Sequence, residues 1–254
     1  MSPIFMGKER LDQALHRRGM CDSREMAKRL ILAGEVRVEG MEGNLKPGLK
    51  VNEDAEIILK SHPKFVSRGG LKLEKALDEF AIEVERKVAL DAGASTGGFT
   101  DCLLQRGIEK VYAYDVGKNQ LAWKLRSHER VVSREGINIR YLTSDDLPEL
   151  VDLVVIDVSF ISLTMILPAI FSVLKPDGDV ICLIKPQFEL KKEQIGKGGI
   201  VREPELHEEA VEKIRKFVAG PLGKRWNDLT QSPISGTDGN IEFLAWLKHP
   251  ESEL

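Results

Sequence analysis

The stretch Lys87-Val-Ala-Leu-Asp-Ala-Gly-Ala-Ser-Thr-Gly-Gly-Phe99 leaves this chain few ways to fold. A short apolar run, Val88 to Leu90, ends in Asp91. A glycine turn follows, and Phe99-Thr-Asp-Cys-Leu-Leu104 reads as the start of a helix. Strand, glycine turn and helix start together bring backbone N–H groups up to a ligand at one edge of an α/β sheet. The spacing Asp-x-Gly-x-x-x-Gly-Gly differs from the Gly-x-Gly-x-x-Gly of dinucleotide sites, and no Gly-Lys-Ser/Thr follows it. Both absences argue against a nucleotide phosphate. A zwitterionic, adenosine-containing ligand fits better, and S-adenosylmethionine is the expected cofactor. The competing reading is a tight turn that holds nothing.

From residue 71 onward, strand and helix patterns alternate. Val111–Asp115, Arg130–Ser133, Val151–Asp157 and Asp179–Lys185 read as strands; Asn119–Ser127, Leu163–Leu174 and Glu205–Val218 read as helices. Lys175-Pro-Asp-Gly178 reads as a helix stop. Trp226–Ile234 and Ile241–Leu247, joined through Gly236–Asn240, read as an antiparallel hairpin appended to the sheet. The expected fold is therefore a doubly wound, Rossmann-like α/β sheet with ligands at the strand C-ends. Asp115 lies roughly twenty residues past the glycine turn, the separation at which such an acid binds a ribose diol. Asp145 and Asp146 fall where adenine is expected in this fold.

The chain of 254 residues is long enough for one such domain and a small appendage. Cys21, Cys102 and Cys182 are too far apart for a disulfide framework or a zinc site, which points to a reducing cytoplasm and no metal. No N-terminal apolar segment reads as a signal peptide. The most apolar region, Val151 to Leu174, is broken by Asp152, Asp157 and Pro168, so no membrane span is expected. The net charge of −3 hides an asymmetry. Residues 1–72 hold 14 Lys/Arg against 10 Asp/Glu, a net of +4, which leaves −7 for the remainder. A polyanion would be gripped first at the basic N-terminus.

That N-terminal part reads as a helix from Lys8 to Arg18, a second from about Arg24 to Ala33, and short strands at Val36–Val38 and Glu56–Leu59. Asp22 or Ser23 would cap the second helix, with Glu25 completing a capping box from Asp22. Arg10-Leu-Asp-x-Ala-Leu15, Ser23-Arg24, the Leu30 to Gly34 helix end, Val36-x-Val38-x-Gly40 and Lys46-Pro47 resemble the alpha-L RNA-binding module of ribosomal protein S-four, tyrosyl-tRNA synthetases and pseudouridine synthases. The resemblance implies RNA contact through Arg10, Arg17, Arg18, Arg24, Lys28, Arg29 and Lys46, with Arg68 a further contact beyond the module. Cations on one helix face supply affinity for phosphates but little sequence choice. The bland alternative is a helical hairpin whose charges only solvate it. The expected boundaries are a small α+β module at residues 1–60, a linker at 61–64 and the α/β body at 65–254.

Asp157 and Lys185 each end an apolar strand, so both face the ligand crevice. An ammonium group there calls for work or a carboxylate partner. The Gly239–Glu242 turn can bring Glu242 to the same edge, and Lys72 lies on the helix before the first strand. Taken singly, Lys72 is an exposed helix lysine and Glu242 an exposed strand acid; taken together, the four form an alternating Lys–Asp–Lys–Glu group. Such a group suits a ribose hydroxyl, which needs a base or an oriented, polarised O–H to attack a sulfonium methyl. No Asn/Asp-Pro-Pro-Tyr follows Asp157, which argues against amino methylation. No Pro-Cys pair exists, and mid-strand Cys182 reads as core, which argues against a cysteine nucleophile.

Ser67-Arg68-Gly-Gly-x-Lys72, Asp91-x-Gly-x-Ser-Thr-Gly-Gly-Phe-Thr-Asp101, Asp157-x-Ser-Phe-Ile-Ser162, Lys185-Pro-Gln-Phe-Glu189 and Gly239-Asn-x-Glu-Phe243 resemble the hemolysin A-type family of bacterial rRNA 2′-O-ribose methyltransferases. In that family an alpha-L module precedes an FtsJ-like domain. The resemblance implies methyl transfer to a cytidine ribose of ribosomal RNA or subunits, with Lys72, Asp157, Lys185 and Glu242 catalytic. It also implies a cofactor site of Asp91, Gly93, Ala94, Ser95, Thr96, Gly97, Gly98, Phe99, Asp115, Val116 and Asn138. Glu135-Gly136-Ile137, before Asn138, departs from the family pattern, and the Gly69-Gly70 pair is expected to loosen the approach to Lys72. Two other classes compete: a non-catalytic RNA-binding protein on a methyltransferase scaffold, and a membrane-active cytolysin.

Overall fold

The computed structural model describes residues 7–41, 43–59, 63–236 and 239–251. It divides into two compact units, Met1–Pro63 and Lys64–Leu254. Linker positions 61 and 62 lie outside the described residues.

The first unit runs β1 (Lys8–Arg10), α1 (Leu11–Arg17), α2 (Arg24–Leu32), β2 (Val36–Val38), β3 (Lys50–Asn52) and β4 (Ile57–Leu59). Leu11, Ala14 and Leu15 recur at helical spacing and close against Ala27, Leu30, Ile31, Val36, Val38 and Val51. The helix expected from Lys8 to Arg18 is shorter than that, Leu11–Arg17. Lys8–Arg10 instead pair antiparallel with β3, Lys8 opposite Asn52 and Arg10 opposite Lys50. Ser23, not Asp22, caps α2 by accepting the Met26 N–H at 3.2 Å. Glu25 makes no capping box; it pairs with Lys28 one turn along.

The second unit begins with α3 (Gly69–Glu79) and continues β5 (Val88–Ala92), α4 (Gly98–Gln105), β6 (Lys110–Asp115), α5 (Trp123–Arg126), β7 (Val131–Glu135), β8 (Val151–Ile156), α6 (Leu167–Val173), β9 (Leu174–Ile184), α7 (Pro186–Glu189), α8 (Pro204–Ala219), β10 (Arg225–Gln231) and β11 (Phe243–Lys248). Seven strands form one sheet in the order β10-β11-β9-β8-β5-β6-β7. β5 is parallel to β6 on one side and β8 on the other, so the strand order reverses beside β5. That reversal opens the crevice in which doubly wound sheets hold ligands. β11 returns antiparallel between β9 and β10 and closes the expected hairpin.

Alternation along the strands covers both faces. Leu90, Ala92, Val154, Ile156, Cys182 and Ile184 belong to one apolar layer. Their neighbours Ala89, Val155, Ile181 and Leu183 belong to the other.

Two local expectations are corrected. The helix expected over Asn119–Ser127 is confined to Trp123–Arg126, because Ala122, with ψ 137°, is extended at its N-cap and Asn119 takes a left-handed φ of 56°. Lys175–Gly178 is not a stop outside the sheet. It is an irregular part of β9, where Val151 pairs with Leu174 but Leu153 pairs with Asp179.

Candidate active site

The glycine turn does what its spacing requires. Gly93 has φ +89° and Gly97 φ +94°, a region where a side chain is costly. A Cβ on Gly93 would come within 2.6 Å of the Asp157 carbonyl oxygen, and one on Gly97 within 2.3 Å of a Leu125 methyl. The turn thus lies against the end of β8 on one side and under α5 on the other. Ser95 also turns left-handed, at φ 47°. Its N–H donates to Asp115 at 2.8 Å, and the Gly117 N–H donates to the other Asp115 oxygen at 2.6 Å.

Asp91 is fully buried at the foot of the turn. One carboxylate oxygen accepts the Thr100 N–H and hydroxyl at 3.0 and 2.6 Å, pinning the start of α4. The other oxygen is buried without a hydrogen-bond partner. Burial pushes the Asp91 carboxyl up to about 7, opposed by the Thr100 bonds and reinforced by the Asp157 and Asp115 charges.

These residues fit an adenosine-bearing cation. The turn gives backbone close approach, half-buried Asp115 offers carboxylate lone pairs, and exposed Val116 offers an apolar face. Asp91 keeps a buried oxygen with no partner within the turn. Ala94 and Gly98 are buried within the turn, and Thr96 receives the Ala122 N–H. Phe99 turns its ring into the core, and Asn138 spends its side-chain oxygen on the Arg140 N–H.

The Lys–Asp–Lys–Glu residues form two buried or half-buried ion pairs. Lys185, just past β9, meets Asp157, just past β8, at 2.6 Å and donates to Ser159 Oγ at 3.1 Å. Lys72 on α3 meets Glu242 at 2.5 Å. Because Phe243 pairs with Ile184, Glu242 enters at the strand end that carries Lys185. Neither Lys72 nor Glu242 is the exposed charge that its position alone suggests; both are buried.

The glycines before Lys72 tighten its setting rather than loosen it. A Cβ on Gly70 would strike the Phe65 ring at 2.3 Å, and one on Gly98 would lie 2.9 Å from the Gly70 nitrogen. The starts of α3 and α4 touch backbone to backbone, which fixes where Lys72 leaves its helix. Gly236 does the same for Glu242, whose carboxylate lies 2.5 Å from where a Cβ would stand.

One residue beside the Lys185–Asp157 pair was read only as part of a motif, with no role of its own. Phe160 is 91% exposed and holds a left-handed φ of 65°. Its ring lies 5.1 Å from that of Phe188, and Lys185 Nζ lies 5.9 Å from the Phe188 ring centre. A bulky residue in that backbone region is a true outlier. The only signal in the sequence is an aromatic between Ser159 and Ile161, just after a strand-ending acid.

In the first unit, several cations nominated for RNA are already engaged. Arg10 and Arg24 both hold buried Asp12, at 2.9 and 3.4 Å. Arg17 holds Glu9, Arg18 donates to the Ala55 and Glu53 carbonyls, and Lys28 holds Glu25. Arg29 and Lys46 are exposed, as is Arg68 at the start of α3 in the second unit.

Burial pushes the Cys102 and Cys182 thiols up to about 12, which leaves neither as a thiolate. Among the described residues no group of three His, Cys, Asp or Glu could hold a metal ion, and no helix is long and apolar enough to cross a membrane.

The model of the FtsJ-like methyltransferase family matches residues 65–249. The chain belongs to that family. Ahead of the FtsJ-like body, the S4 domain model matches residues 9–41. The FtsJ-like chain is 44% identical over 243 residues to a protein of Mycobacterium tuberculosis named 16S/23S rRNA (cytidine-2′-O)-methyltransferase TlyA, covering 95% of this chain and 90% of that one. It is 46% identical to hemolysin A of Brachyspira hyodysenteriae, covering 93% of this chain and 98% of that one. A solved structure of a hemolysin-named protein from Streptococcus thermophilus is 49% identical, with a TM-score of 0.76, and covers 97% of this chain and 90% of its own.

Proposed function

We propose that this FtsJ-like protein is a cytoplasmic enzyme that transfers a methyl group from S-adenosylmethionine to a cytidine 2′-hydroxyl of ribosomal RNA. The observation that carries the proposal is the seating of the glycine turn on Asp157. The Gly93 backbone packs against the Asp157 carbonyl, and the Asp157 carboxylate holds Lys185 at 2.6 Å. Cofactor turn and reacting pair are thus one continuous surface. The similarity to the relative named for cytidine 2′-O methylation supports the choice of acceptor.

Bound S-adenosylmethionine would supply an electrophilic methyl group on a positively charged sulfur. Asp157 faces that charge and orients Lys185. The Lys185–Asp157 pair would hydrogen-bond the 2′-hydroxyl and take up its proton as the bond from oxygen to the methyl carbon forms and the bond from that carbon to sulfur breaks. The Lys72–Glu242 pair orients the ribose, and holding oxygen and methyl carbon in line supplies much of the acceleration. The exposed Phe160 ring, backed by Phe188, offers a stacking face to an unpaired base beside Lys185. The exposed cations of the S4 unit grip phosphates.

The test is transfer of a labelled methyl group to ribosomal subunits, followed by mapping of the modified nucleotide. Lys185→Ala is expected to lose about 100-fold or more in rate, with cofactor binding retained. Equal labelling by variant and parent, or methylation of a base instead of a ribose, would defeat the proposal.

A further inference from the structure

Lys185 and Phe160 both sit on short segments just beyond strand ends, where no ladder of backbone bonds fixes them. Lys185 lies between β9 and α7; Phe160 lies between β8 and α6. They meet through Lys185 Nζ and Ser159 Oγ at 3.1 Å, and through the Phe160 and Phe188 rings. Such contacts alone leave both segments free to shift by the ångström that methyl transfer cannot tolerate.

A buried carboxylate one step behind them removes that freedom. Glu189 ends α7, is only 4% exposed, and binds two other elements at once. It accepts the Ser162 hydroxyl at 2.5 Å and the Leu163 N–H at 2.8 Å, both from the segment after β8. It pairs with Lys213 of α8 at 3.2 Å, and the same ammonium donates to the Glu189 carbonyl. Burying a carboxylate is an expensive way to fill space, even with a half-exposed lysine beside it, and an apolar side chain of that volume would serve packing as well or better. What the charge adds is direction: three donors, from two elements, converge on one carboxylate.

Resting on the proposed methyl transfer, we infer that Glu189 is a positioning residue that locks the Ser159–Phe160 segment to the Lys185 turn. It touches neither acceptor nor cofactor. Its loss would displace the hydrogen-bonded lysine and the stacking ring together. The cofactor turn at residues 93–99 is held separately by Asp91, Thr100 and Asp115 and would stay in place.

The experiment compares full-length wild type, Glu189→Gln, Ser162→Ala and the double variant with Lys185→Ala. It measures kcat and KM for ribosomal subunits, cofactor affinity by calorimetry, and Tm. Glu189→Gln keeps the shape but turns an amide N–H₂ toward donors, and Ser162→Ala removes one tie without touching the core. The expected result is a fall in kcat of about 10- to 100-fold for Glu189→Gln, a smaller fall for Ser162→Ala, and cofactor affinity within about twofold. The double variant should be no slower than Glu189→Gln, because both changes cut the same link. If Glu189→Gln does not fold, Ser162→Ala decides the matter: full kcat in that variant would overturn the positioning role. Full kcat in both variants beside an inactive Lys185→Ala would overturn it equally. Full activity of Lys185→Ala itself would instead remove the reaction on which the inference rests.

Discussion

Asp91 shows how much can hang on one carboxyl. In the folded protein it holds its proton up to a pH of about 7, while its ordinary value is 3.8. Between those values the folded chain keeps a proton that the unfolded chain has released, so stability falls as pH rises, and the loss is complete above about 7. Asp91→Asn carries no such penalty. Its Tm relative to the parent should therefore rise between pH 5 and pH 8, by the equivalent of a few kcal/mol on the order-of-magnitude scale. Scanning calorimetry of the cofactor-free proteins reads this directly; a Tm difference that ignores pH would show that the acid is ionised when folded. At this scale the sequence was only half legible. Strand-ending Asp157 and Lys185 stood out because charge interrupts an apolar run. Phe160 did not, because nothing in Ser-Phe-Ile-Ser says whether an aromatic faces core or solvent. The engagement of Arg10, Arg17 and Arg24 was hidden too, since their partners Asp12 and Glu9 are selected by folding and not by a fixed helical spacing.

Among the elements, α3 and α4 deliver the most specific expectation. Gly98 allows the two helix starts to touch, and an alanine there would meet the Gly70 nitrogen at 2.9 Å. Gly98→Ala should cost about 1–3 kcal/mol and lower Tm by several degrees, with a rate loss because Lys72 rides on α3. A variant with unchanged Tm and rate would mean that the two starts separate without penalty. The long buried strands β5, β8 and the main run of β9 were readable because their apolar runs have no other use in a chain of this size. The three-residue strands β1 and β3 were not, since so short a segment carries no period. Nor was the early start of β9: Lys-Pro-Asp-Gly has the composition of a turn, and only its neighbour β8 shows that the strand runs through it.

For the molecule as a whole, the proposed function divides the labour of binding between the two units. Affinity for RNA is expected to fall steeply with salt, while affinity for the cofactor is not. Reversing the exposed charges Arg29 and Lys46 to Glu should weaken RNA binding and flatten its dependence on salt, leaving cofactor affinity unchanged; filter binding over a salt series checks this. An unchanged slope would place the phosphate grip elsewhere. Domain order and the doubly wound sheet were readable at this scale because each rests on many residues agreeing. The pairing of Lys72 with Glu242 was readable only as a shared sheet edge, since 170 residues separate them. Phe160 carries a consequence for anyone engineering the protein. Its backbone conformation is one that glycine adopts without cost, so Phe160→Gly should fold at least as firmly as the parent while losing the ring proposed to stack on a base. Selection for heat resistance alone would drift toward that substitution and enrich sturdier, idle variants, a trade that only a screen scoring turnover alongside melting would expose.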